Sequence, residues 1–99
     1  MKNNYKIDKG SGLRIGYLKC DYSEGIFNQE YQIRFKARNQ NWCFVNRTDV
    51  IASDKEQGYV RVLIQNKIKE GLIVLINDTG DRRLSPFSVI EKDVVARIV

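Results

Sequence analysis

Ninety-nine residues, 42% hydrophobic and 29% charged, bound one globular domain with a single core that needs neither metal nor disulfide to hold it. A net charge of +5, from 17 basic and 12 acidic residues, favours anionic partners yet lies within what solubility alone asks. Histidine is absent, which removes the commonest general base and metal ligand, and no run nears the ~18 apolar residues of a membrane helix.

Residues 1–11 are polar and read as a flexible arm ahead of a single domain at 12–99. No apolar segment follows the charged start, so no secretory leader is expected and the chain is read as cytoplasmic. Residues 13–20 form a first strand, with Leu13, Ile15 and Tyr17 on one face. Gly16 within it marks a bulge or a close backbone approach. Residues 21–30 read as a loop of about ten residues, long for a tight hairpin. Phe27 in that loop is either a packing residue or an exposed anchor for a partner. Residues 31–37 alternate cleanly, with Tyr31, Ile33, Phe35 and Ala37 against Gln32, Arg34 and Lys36, as a half-exposed strand does. After a turn at 39–41, residues 42–45 return, with Trp42 and Phe44 on one side and Cys43 and Val45 on the other.

Residues 50–52 read as a short strand or one helical turn, and 53–58 as a polar connection. Val60, Val62 and Ile64 alternate with Arg61, Leu63 and Gln65 in a strand with one wetter face. Residues 72–76 are five apolar side chains in succession, read as a strand buried on both faces and the axis of the core. Between them lies a Lys-rich loop at 66–71, where Gly71 supplies the positive φ a turn often demands. Residues 77–81 are a strong turn signal. Ser85 and Pro86 fit the start of a helical turn. The β-branched residues that follow favour a strand at 87–90, a turn at 91–93 and a final strand. Six or seven short strands spaced about ten residues apart predict an all-β fold, a small antiparallel barrel or compact sandwich.

Strand alternation puts Arg34, Lys36 and Arg38 on one face, about 6.8 Å apart along the chain. Arg47 lies just beyond the return strand. No acidic residue occurs from Tyr31 to Arg47, so this hairpin carries four of the chain's five net charges. It is read as a surface for nucleic acid or another polyanion, set against the plainer reading of a solvated face. Tyr31 and Phe35 point away from the cations, whereas Trp42 joins them or not according to hairpin register. Arg82 and Arg83 are auxiliary candidates, with Asp78 and Asp81 near enough to neutralise them.

Cys20 and Cys43 sit in apolar runs and read as buried, reduced thiols. No metal site and no cofactor is expected. Asp78-Thr79-Gly80 after an apolar strand resembles the active-site triplet of aspartic proteases. Asp81 stands where that family has a small residue, and its like charge would disturb the shared proton. The triplet is therefore read as turn chemistry. The chain reads as a binding module rather than an enzyme, with no membrane partner. The alternative function is a protein-interaction or homo-oligomeric assembly module using the 21–30 loop and a strand edge.

Overall fold

The period of two that marks residues 60–64 persists as a twelve-residue strand in which Val60, Val62 and Ile64 are buried and Arg61 is exposed. The computed structural model describes residues 6–8, 13–38 and 40–98. Its strands, in chain order, are β1 (Lys6–Asp8), β2 (Leu13–Glu24), β3 (Glu30–Arg34), β4 (Trp42–Asn46) and β5 (Val50–Ala52), then β6 (Gln57–Ile68), β7 (Gly71–Asp78), β8 (Arg83–Val89) and β9 (Val94–Val95). Single 3₁₀ turns stand at Arg47–Asp49 and Glu91–Asp93. The fold is all-β and antiparallel, as the strand spacing predicts.

The long strands β2 and β6 pair from Arg14↔Ile64 to Asp21↔Gln57 and form the spine of the sheet. The main path runs β4-β3-β2-β6-β7-β8, with β1 and β9 pairing onto β2 and β5 onto β6. Each spine strand changes partner along its outer edge. On β2 the partners are β1, then β9, then β3. On β6 they are β5, then β7. A sheet that swaps partners this way cannot stay flat, and it curls into a half-barrel. Two backbone bonds draw the ends of the path together: Thr79 N–H donates to the Phe44 carbonyl at 2.9 Å, and Arg38 N–H to the Ser88 carbonyl at 3.2 Å.

The curl closes over one core. Val50, Val60, Leu18 and Val94 stand opposite one another in a row across β5, β6, β2 and β9. Leu18 at its middle is fully buried, which contributes roughly 1.5–3 kcal/mol. The row needs Gly16 beside it. A Cβ there would meet Val94 Cγ1 at 2.9 Å and Ile64 Cδ1 at 3.0 Å, so glycine serves the close approach of β9 and not a bulge. Cys20 and Cys43 are unbridged and buried in the same core.

Several sequence expectations change. The strand read at 13–20 continues to Glu24, and the loop that follows shrinks to residues 25–29. The polar side chains of 21–24 fit a strand because Tyr22 packs on the core while Asp21, Ser23 and Glu24 face water. The Lys-rich loop at 66–71 is instead a two-residue turn, with strand on either side to Ile68 and from Gly71. A bulge at Gln65, between Ile64 and Asn66, absorbs the change of phase.

Residues 72–76 are not buried on both faces: Leu72, Val74 and Ile76 are buried, whereas Ile73 and Leu75 are half-buried on the outer side. Pro86 lies within β8, opposite Leu75 and at the edge of the main path, where its missing N–H breaks no central ladder. The residues directly after it continue β8 to Val89, and the 3₁₀ turn comes only at Glu91–Asp93. Residues 50–52 are strand, preceded by the 3₁₀ turn. Of residues 1–11, Lys6–Asp8 pair with β2 as a strand, and the others lie outside the described residues, as does Asn39 of the 39–41 turn.

Candidate nucleic-acid interface

The β3–β4 register decides which side chains share a face. Arg34 stands opposite Trp42 and Gln32 opposite Phe44, while Ile33 faces Cys43 and Tyr31 faces Val45. Directly opposed side chains project to the same side. Ile33, Cys43 and Val45 are buried, so Arg34 and Trp42 point outward together. Trp42 is 42% exposed and rests edge-on against Phe44, ring centroids 5.7 Å apart. The single tryptophan of the chain is thus on the cationic side.

The ladder ends at Arg34, three residues earlier than the alternation implies. The alternation of burial nevertheless continues: Phe35 buried, Lys36 exposed, Ala37 half-buried, Arg38 exposed. Phe35 N–H donates to the Asn41 carbonyl at 2.9 Å, and the Phe35 ring meets Phe87 edge-on at 5.0 Å. That packing fixes the segment inward at Phe35 and turns Lys36 out.

The four cations read from the sequence have different surroundings. Arg34 Nη1 donates to Ser23 Oγ at 3.0 Å, and Asp21 stands opposite it on β2. Among the described residues no ion pair reaches Lys36. Arg34 and Lys36 share a groove of about 310 Å³ with Lys19, Phe35, Asp21 and Asp93. Lys19 is a cation the sequence reading missed. It lies within the strand read at 13–20, and the burial of Leu18 and Cys20 on either side of it sets its outward phase. Arg38 lies 4.0 Å from Glu70, but both are exposed, and such a pair contributes little and leaves the cation accessible.

Arg47 is not part of this face. Its Nη2 donates to the Glu24 carboxylate and its Nε to the Asn28 carbonyl, and the guanidinium lies 4.3 Å from the Tyr31 ring centroid. The Glu24 hydrogen bond holds the guanidinium pKa above its ordinary value. Arg47 clamps the loop at residues 25–29, at the far end of the hairpin from Lys36. Glu24 lies outside the acid-free stretch of sequence, which is why a reading of 31–47 alone leaves Arg47 unpaired.

Glu30 anchors the same loop from inside. It is buried, and its carboxylate accepts from Thr79 Oγ1 at 2.9 Å and from the Phe27 N–H at 3.4 Å. Glu30→Ala is expected to cost about 1–3 kcal/mol in urea unfolding, because both donors lose their acceptor. A loss below 0.5 kcal/mol, roughly the scatter of a surface substitution, would show that the anchor is dispensable.

Arg82 adopts a left-handed backbone at φ 56° in the β7–β8 turn. Arg83 pairs with Asp81 at 3.5 Å at the surface, as turn neutralisation implies. Asp78 does not neutralise an arginine. It is buried, and Oδ1 accepts from the N–H groups of Gly80 at 2.8 Å and Asp81 at 3.3 Å. The Asp-Thr-Gly triplet is therefore a capped turn. Arg83 does approach the hairpin: it lines a groove of about 220 Å³ with Gln40, whose amide donates to the Trp42 carbonyl at 2.6 Å.

Among the described residues no three side chains of the metal-binding types converge, and no helix is long and apolar enough to cross a membrane. No family model, curated protein or solved structure matches the chain.

Proposed function

We propose that the chain is a non-catalytic module that binds single-stranded nucleic acid on the outer face of the β3–β4 hairpin. Arg34, Lys36 and Arg38 attract phosphates, Lys19 adds a fourth cation, and Trp42 offers a ring on which a base stacks. The observation that carries the reading is the pairing of Arg34 with the exposed Trp42 across the ladder. Single-strand binders combine a cationic track with aromatic side chains on the same face. The net charge of +5 favours approach of a polyanion to this face.

Fluorescence anisotropy with a labelled oligonucleotide tests it. Binding should weaken with salt at a log–log slope of about −0.7 per neutralised phosphate, near −2 for three contacts. Arg34→Glu combined with Lys36→Glu should abolish binding while leaving the circular dichroism unchanged. Trp42→Ala should weaken binding by about 1–3 kcal/mol without altering the slope, since stacking releases no counterions. Unaltered affinity in the folded double variant would refute the assignment.

A further inference from the structure

The cationic groove carries a charge that a surface for phosphates alone does not need. Lys19, Arg34 and Lys36 line it together with Phe35 and two carboxylates, Asp21 and Asp93. Asp21 has a local partner, since it stands directly opposite Arg34 across the β2–β3 ladder. Asp93 arrives from a distant part of the chain. It closes the 3₁₀ turn at Glu91–Asp93, where its N–H donates to the Ile90 carbonyl at 3.0 Å. The next residue, Val94, is buried opposite Leu18 and pins that turn to the spine. Asp93 is thereby held half-buried at the wall of the groove, among the cations of β2 and β3. Among the described residues no ion pair reaches it.

An unpaired carboxylate repels phosphate from a groove that three cations make attractive. The arrangement favours an occupant that brings a hydrogen-bond donor beside its anionic oxygens. An ionised carboxylate only accepts, so the donor must come from the ligand. In a ribonucleotide the 2′-hydroxyl is such a donor, and it sits on the same sugar as the 3′-phosphate. A deoxyribonucleotide lacks it, and this group is what separates RNA from DNA at a protein surface. With a phosphate against Arg34 and Lys36, the neighbouring hydroxyl falls to Asp93. Base amines also donate, but they vary with sequence, and uracil has none.

We infer that the groove selects RNA over DNA, with Asp93 accepting a hydrogen bond from the ribose 2′-hydroxyl. This selection rests on the reading of the hairpin face as a single-strand site and adds which sugar that site prefers.

Oligouridine and oligodeoxyuridine of equal length carry the same base and differ only at the 2′ position. In fluorescence anisotropy oligouridine should bind at least about tenfold tighter, the worth of a hydrogen bond to a charged acceptor. A 2′-fluoro oligouridine keeps the sugar pucker of RNA but cannot donate, and it should bind like the deoxy strand. Asp93→Ala should move the two affinities in opposite directions. Oligouridine loses its acceptor and binds more weakly, whereas oligodeoxyuridine loses a repulsive charge and binds more tightly. A carboxylate that only shaped the turn, or only added charge, would shift both strands the same way. Asp93→Asn preserves the side-chain shape and should narrow the preference for RNA, which guards against a local rearrangement in the alanine variant. Equal affinity of the wild-type chain for the two strands overturns the selection and leaves single-strand binding standing. So does a parallel shift of both strands in Asp93→Ala, or a 2′-fluoro strand that binds like oligouridine. Binding of neither strand overturns the selection and the single-strand reading together.

Discussion

Gly71→Ala is expected to destabilise the fold by about 2–4 kcal/mol, from backbone strain and overpacking together. Gly71 opens β7 directly after the two-residue turn and has φ 155°. A Cβ built there would lie 2.0 Å from the Val89 carbonyl oxygen, with Val89 C at 3.1 Å and Ile90 Cα at 3.3 Å. These are backbone atoms of the neighbouring strand, not the ends of flexible side chains. Relief therefore means displacing β8, whose register with β7 begins one residue later at Leu72↔Val89. Gly80→Ala is the control: its nearest neighbours are side-chain atoms, Asp78 Oδ1 at 3.1 Å and Phe44 Cδ2 at 3.6 Å, and its φ is not in the positive range. That change should cost less than about 1 kcal/mol. Urea unfolding of both variants decides the matter, and equal losses would mean that β8 does not crowd Gly71.

What the sequence disclosed follows the range over which the responsible forces act. Val60, Val62 and Ile64 announce a strand because alternation is local, and the structure buries them as read. The ends of strands are not local. Residues 21–24 look like loop by composition, yet their backbone groups find partners on β3 and β6, and that pairing extends β2. Residues 72–76 look doubly buried because five apolar side chains stand in a row. The curled sheet covers its inner side more completely than its outer one, so Ile73 and Leu75 remain half-buried.

The candidate interface divides in the same way. Arg34, Lys36 and Arg38 share outward phase because alternation alone determines it. Whether Trp42 joins them depends on its pairing with Arg34, a matter of turn length across 35–41. The fate of Arg47 depends on Glu24, a partner 23 positions upstream. Charge counted along a segment omits the charges that folding brings to it from elsewhere.

Above pH 9 the fold is expected to lose stability through its two buried thiols. The pKa of Cys20 is pushed up from the ordinary 9.0 to about 12, first by burial and then by the neighbouring Asp21 carboxylate, with Arg34 opposing. Cys43 is pushed up to about 12 as well, by burial first and then by Asp78 and Cys20. Below pH 9 both thiols are protonated folded and unfolded alike, so their contribution is fully present. Between pH 9 and 12 the unfolded chain releases these protons and the folded chain keeps them, which favours unfolding. Each thiol withdraws about 1.4 kcal/mol per pH unit in that window, so the two together remove roughly 4 kcal/mol by pH 10.5. Other groups titrate there too, and the comparison that isolates the thiols is with a Cys20→Ala/Cys43→Ala variant under reducing conditions. That variant starts less stable because it leaves cavities, but its urea midpoint should fall far less between pH 8 and 10.5 than that of the wild-type chain. Parallel losses in the two proteins would mean that the folded thiols ionise as readily as exposed ones, and that the curled sheet does not shield its core from water where β2 meets β3 and β4.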